Sequence, residues 1–115
     1  LLGTNDQPNY QDTILFIEDV GEQLYNIDRM LYTFKKTGVF EQIKGLIVGG
    51  MTDLKDTETP TGFSIEEIIL HQFEFRKIPI AFNFPAGHVT DNRALILGKT
   101  VDLKVNELAT ILKFN

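Results

Sequence analysis

The sequence predicts an α/β fold, with helices packed on a mixed sheet whose antiparallel end curls toward a barrel. Three observations lead there. Two short apolar runs, Ile14 to Ile17 and Gly45 to Gly50, bracket a stretch of helical periodicity. A second helix is marked by Ser64-Ile65-Glu66-Glu67, a capping box with its serine and glutamate three residues apart. The tail then changes rhythm, alternating Val101, Leu103 and Val105 with Thr100, Asp102 and Lys104. Strand, helix, strand in sequence suggests a parallel pair with a right-handed crossover. Strict alternation suggests antiparallel strands with one buried face.

Residues 1 to 12 hold Gly, Asn, Asp and Pro without periodicity and read as a lead-in. A strand over 13 to 18 follows, because Ile14 to Ile17 is short and rich in branched and aromatic side chains. Asn26 is expected to cap a helix from Ile27 to Thr37, with Ile27, Met30, Leu31 and Phe34 on one face. Gly38 ends that helix, since glycine enters the left-handed region without a Cβ clash. Val39 to Lys44 reads as a connector or helical turn, and Gly45 to Gly50 as a second buried strand. A Thr-, Asp-, Gly- and Pro-rich loop spans 52 to 62. Behind the capping box, Ile65, Ile68, Ile69 and Phe73 share a face. Pro79 stops this helix and starts an extended segment, Ile80 to Phe84, before the loop Pro85 to Asn92. The runs Ala94 to Leu97, Thr100 to Val105 and Leu108 to Phe114 read as an antiparallel meander.

Composition narrows the function classes. The 115 residues, 43% of them apolar, suit one domain spanning 1 to 115 with a real core. The net charge of -5, with no basic block, argues against nucleic acid as a partner. No apolar run approaches the roughly 20 residues of a membrane span, so no membrane partner is expected. Cysteine is absent, which rules out disulfides and thiolate chemistry and fits a reducing compartment. The chain starts Leu1-Leu2-Gly3-Thr4, with neither an initiator Met nor a signal-peptide pattern, and is expected to be cut from something longer.

Two side chains stand out as candidates for chemistry. Glu18 falls at the carboxyl end of the first strand, where α/β proteins gather functional groups; acidic turns before helices are also common, because the helix dipole favours them. His88 lies in a loop after the extended segment, with Pro85 to stiffen the approach and Gly87 to aim the side chain. A lone histidine is more often a surface or capping residue. An imidazole titrating near neutral pH is nonetheless the usual general base, and a carboxylate behind it fixes its tautomer. A Glu18–His88 pair needs a nucleophile, yet the only serine, Ser64, is better explained as a helix cap. No Gly-x-Ser-x-Gly elbow occurs. His71 and His88 are the two histidines, and neither belongs to a spaced ligand cluster, so no metal is expected. Gly49-Gly50 lacks the Lys and Ser/Thr of a phosphate loop, and no cofactor is expected.

Three stretches together resemble a known family. Ile14-Leu15-Phe16-Ile17-Glu18-Asp19-Val20-Gly21-Glu22 with Tyr25-Asn26-Ile27-Asp28-Arg29-Met30-Leu31 resembles the first signature of the C-terminal domain of LD-carboxypeptidases. Gly45 to Gly50 resembles that family's following strand. Ile78-Pro79-Ile80 through Phe84-Pro85-Ala86-Gly87-His88-Val89-Thr90-Asp91-Asn92 resembles its histidine loop, and Leu97-Gly98 and Val101-Asp102-Leu103 also fit. These are serine peptidases with a Ser–Glu–His triad. The resemblance implies that Glu18 and His88 are the triad glutamate and histidine. It implies that the serine and the oxyanion-hole amides belong to a preceding N-terminal domain, the partner of this one. The implied fold is a swivelling β/β/α domain. The implied activity is removal of the terminal D-alanine from an L,D-linked murein tetrapeptide, in the cytoplasm, during peptidoglycan recycling; a homodimer of the full-length protein is the further partner it admits.

Alternatives stay open at this point. Microcin-immunity peptidases share the triad, but their acidic turn usually departs from Glu-Asp-Val-Gly-Glu and their selectivity leans on aromatic stacking, whereas this chain has no Trp. A non-catalytic binding module would keep the fold and treat Glu18 and His88 as structural. Glu22 reads as a surface carboxylate paired with Arg29, or as a contact to substrate or the partner domain. Asp91 and Asn92 are candidates to steady the histidine loop through side-chain-to-backbone bonds.

Overall fold

The computed structural model describes residues 1–115. Three strands form a parallel sheet in the order β1 (Ile14–Val20), β2 (Gly45–Thr52), β3 (Ile80–Ala81). Between β1 and β2 run α1 (Leu24–Lys36) and the short α2 (Val39–Gln42), and α3 (Ile65–His71) leads back to β3. The chain ends in an antiparallel hairpin of β4 (Val101–Val105) and β5 (Thr110–Phe114). The α/β class and the parallel crossover pair thus agree with the sequence.

The sheet is covered on both faces. Toward the helices, Leu46 and Val48 of β2 join Ile27, Leu31, Val39, Phe40, Ile43, Ile68, Ile69 and Phe73 in one buried cluster. Leu15 and Ile17 of β1 pack against it. At its centre the Phe40 and Phe73 rings lie 4.5 Å apart, with Phe34 stacked on Phe40 at 5.9 Å, so aromatic packing adds to area burial. Arg76 donates to the carbonyls of Phe40 and Glu41 and so ties the turn after α3 to the end of α2. On the opposite face the hairpin reaches β2 through Leu103, whose side chain rests where a Cβ on Gly45 would stand, at 3.1 Å.

Several sequence expectations are corrected. The parallel strands and the hairpin are two separate sheets rather than one mixed sheet. Ala94 to Leu97 forms no strand, so the expected three-run meander is a two-stranded hairpin. Its turn is held by Asn106, whose side-chain oxygen accepts from the Leu108 and Ala109 amides. Only Ile80 and Ala81 of the extended segment pair as a strand, because Asn83 turns into the left-handed region at φ 53°. Helix α1 begins at Leu24, with Gln23 at the cap and Asn26 already in the first turn. The core-facing set is therefore Leu24, Ile27, Leu31 and Phe34, and Met30, 44% exposed, lies off it. The loop between β2 and α3 holds this helix start, Leu24 donating to the Lys55 carbonyl and Lys55 to that of Glu22. The capping box at α3 is present in full, Ser64 Oγ accepting from the Glu67 amide and Glu67 Oε2 from the Ser64 amide.

Candidate active site

Along β1 the side chains alternate: Leu15 and Ile17 pack on the helix-side core, which leaves Phe16 and Glu18 on the other face. Here the two parallel strands fall out of step. Ile17 pairs with Val48 but Asp19 pairs with Met51, so β2 spends one residue more than β1 opposite Glu18. That extra residue lies in Gly49-Gly50. The chain after β3 returns along β2, the Phe84 amide donating to the Val48 carbonyl at 2.9 Å and the Gly50 amide to that of Ala86 at 2.8 Å. The histidine loop therefore lies on the end of β2, beside Glu18.

Across 70 residues of sequence, Glu18 Oε2 and His88 Nδ1 meet at 2.9 Å. An ionised carboxylate can only accept, so a hydrogen bond in this geometry requires the ring proton on Nδ1, with Nε2 turned away from the glutamate. The glutamate side chain is 28% exposed and the imidazole 62%, so the carboxylate is the sheltered member and the ring faces outward. Gly87 makes the approach possible: a Cβ there would come within 2.8 Å of Glu18 Oε2, and its φ of +110° already disfavours any L side chain.

The other candidates divide. Asn92 steadies the loop, its side-chain oxygen accepting from the Gly87 amide at 3.1 Å. Asp91 forms an ion pair with Arg93 at 2.7 Å instead, and the guanidinium holds its carboxyl below the usual carboxylate range. Glu22 does not pair with Arg29. Its Oε1 accepts from Asn26 Nδ2 and from the Gln23 amide, both at 2.8 Å, and these bonds, the Asn26 one foremost, lower its pKa. A carboxylate at the start of α1 suits the helix dipole. Ser64 is committed to its capping box. His71 is a largely exposed side chain 3.9 Å from Glu74. Two further contributors hold the loop: Thr52, which carries no signal in the sequence and whose hydroxyl donates to the His88 carbonyl at 3.2 Å, and the Gly49-Gly50 pair, which the sequence offers only as a poor phosphate loop. Consecutive glycines ending a buried strand were the available signal.

A wider concavity than the one beside the histidine loop lies elsewhere. A groove of about 650 Å³ runs between α1 and α3, lined by Tyr25, Asp28, Phe63, Leu70 and His71, and includes neither Glu18 nor His88. A smaller hollow of about 240 Å³ sits beside the histidine loop, with Gly50, Thr52, Asn83, Val89 and Asp91 in its walls. The smaller hollow likewise has neither Glu18 nor His88 in its walls, but it borders the loop that carries His88.

Residues 1–103 match the family described as the LD-carboxypeptidase C-terminal domain. Over 96 residues, 84% of this chain, the sequence is 32% identical to the murein tetrapeptide carboxypeptidase of Pseudomonas aeruginosa and covers 31% of it. The crystal structure of a muramoyltetrapeptide carboxypeptidase from Oxalobacter formigenes superposes with a TM-score of 0.86 at 26% identity, over 98% of this chain and 40% of that one. The microcin C7 self-immunity protein in complex with aspartyl sulfamoyl adenosine shares the fold over 72% of this chain and 24% of its own, with a TM-score of 0.63 at 23% identity. The chain spans about a third of the length of the curated relatives it matches.

Proposed function

Since the chain belongs to the LD-carboxypeptidase C-terminal domain family, we propose that it supplies the glutamate and histidine of a serine carboxypeptidase that removes terminal D-alanine from L,D-linked murein tetrapeptide. The observation that carries this reading is the 2.9 Å contact between Glu18 Oε2 and His88 Nδ1. Held this way, Nε2 takes the proton of a serine hydroxyl as its oxygen attacks the carbonyl before the terminal D-alanine. The imidazolium so formed is stabilised by Glu18 and returns the proton to the leaving amine. Water then releases the acyl group by the same route. The serine and the oxyanion-hole donors come, in this reading, from an N-terminal domain, and residues 1–115 form one domain of a two-domain enzyme. The swivelling β/β/α arrangement, with the hairpin curling toward a barrel, belongs to the same reading, as do action in the cytoplasm during peptidoglycan recycling and a homodimer of the whole protein.

Murein peptide is favoured over a microcin-type substrate. The murein enzyme's fold matches over nearly the whole chain, at a TM-score of 0.86, against 0.63 for the immunity protein over 72% of it. The deciding experiment assays D-alanine released from an L,D-tetrapeptide by the full-length protein and by residues 1–115 alone. Turnover by the full-length protein and none by the domain is the expected result. Activity of the isolated domain, or full-length turnover only on an aminoacyl-nucleotide analogue, would overturn the reading.

A further inference from the structure

We propose that the Gly49-Gly50 irregularity in β2 is the positioning device for His88, with Gly50 acting on the ring through the loop that carries it. This rests on the reading of Glu18 and His88 as the working pair. In a regular strand, neighbouring residues face opposite sides of the sheet. Here β1 advances from Ile17 to Asp19 while β2 advances from Val48 to Met51, which makes a bulge, a feature rare between parallel strands and enriched next to active sites. Both glycines consequently turn toward the same loop. A Cβ at Gly49 would meet the Ala86 carbonyl oxygen at 2.5 Å and the Phe16 ring at 2.8 Å; one at Gly50 would meet Val89 Cγ1 at 2.6 Å and the His88 amide nitrogen at 3.5 Å.

The requirement is for space rather than for an unusual backbone, since neither glycine has a positive φ. Two bare positions in succession let the loop backbone lie directly on β2. It is then pinned by the Gly50 amide to the Ala86 carbonyl at 2.8 Å and by the Thr52 hydroxyl to the His88 carbonyl at 3.2 Å. The Glu18–His88 contact is made between β1 and this loop, so the height of the loop above the strand sets the distance between them. Gly49 has a second duty, because its missing side chain also makes room for Phe16. Gly50 faces the loop alone, which makes it the informative position.

The test uses nitrogen-detected NMR of the imidazole in the 115-residue chain, with the ring neutral. The wild-type chain is expected to hold the proton on Nδ1. Gly50→Ala should shift the ring toward the Nε2-protonated form that free imidazole side chains favour. Val89→Ala should change nothing, and Gly50→Ala/Val89→Ala should restore the wild-type signature, because removing Cγ1 reopens the space. In the full-length enzyme Gly50→Ala should lower kcat by roughly ten- to a hundredfold with little change in KM, as misplacement of a catalytic group does. An unshifted tautomer in Gly50→Ala, or no rescue by Val89→Ala, overturns the proposal. Should Gly50→Ala fail to fold, Thr52→Val decides: weakening of the Nδ1 signal supports the proposal, and an unchanged signal overturns it. If the tautomer responds as expected but Glu18→Gln leaves turnover intact, the positioning stands and the catalytic reading falls.

Discussion

Gly87 is the residue on which the Glu18–His88 contact most directly depends. Any side chain there meets the glutamate, at 2.8 Å from Oε2 and 3.1 Å from Cβ, while the backbone sits at φ +110°. Gly87→Ala should therefore lower stability by about 1–3 kcal/mol and part the two side chains; urea denaturation and the imidazole signature measure the two effects separately, and an unchanged denaturation midpoint would refute the first. For the pair itself, Glu18→Gln in the full-length enzyme should cost on the order of a thousandfold in turnover or more, and His88→Ala at least as much. On the proposed triad reading the double substitution should add little to the worse single one, as residues that act as a unit do; losses that multiply would contradict the assignment. That Glu18 and His88 meet was legible in the sequence, since each sits in a motif with a chemical logic. Asn26 was misread for a physical reason. A side chain that can cap a helix can equally serve a neighbouring carboxylate, and Glu22 claims it.

Among the elements, α3 shows most clearly what local chemistry decides. It has seven residues, too few to be stable alone in water, and depends on its caps and its buried Ile68 and Ile69. Ser64→Ala removes one arm of the capping box and should cost about 1 kcal/mol. The same substitution should leave D-alanine release by the full-length enzyme unchanged, because Ser64 is a cap and not a nucleophile; loss of activity without loss of stability would reverse that assignment. This box was readable because it is written in four adjacent residues. The start of α1 was not, because it is set by the Lys55 backbone, about thirty residues on in the sequence. The missing third run of the tail has a similar origin. Ala94 to Leu97 has a strand's composition but no neighbouring strand to pair with, and β-propensity follows the surroundings more than the residue.

Taken whole, the molecule is acidic, with several carboxylates held below their ordinary pKa by local partners. These are Asp12 by the Lys44 ammonium, Asp56 by the Thr57 amide, Asp91 by the Arg93 guanidinium and Glu22 by Asn26. A depressed carboxylate contributes stability that is complete above its unfolded pKa, near 4, and is lost as pH falls through the folded value. Thermal melting should thus be flat from about pH 7 to about pH 5 and fall below about pH 4. The decline should be gradual, because Asp12, Asp56 and Asp91 are exposed, Glu22 is only partly buried, and each effect is small; an unchanged midpoint at about pH 3 would count against it. The α/β class and the parallel pair were evident from periodicity together with the capping box and the Gly38 and Pro79 breaks. The separation of the hairpin from the sheet was not, because alternation shows that one face is buried without saying against what. Leu103 supplies the answer by lying over Gly45.

The 2.8 Å bond from the Gly50 amide to Ala86 makes the seating of the histidine loop something that can be timed. Beyond the two residues of β3, the segment is joined to β2 by separate bonds at Phe84, at Gly50 and from the Thr52 hydroxyl to the His88 carbonyl rather than by a continuous ladder. Such an attachment can peel away while the buried cluster behind it stays intact, as small cooperative units do in native proteins. Deuterium uptake should then show two populations along β2. The amides of Leu46, Ile47 and Val48 exchange on the clock of global unfolding, and that of Gly50 on a faster one. The faster clock counts how often the domain lifts its histidine off the strand while still folded.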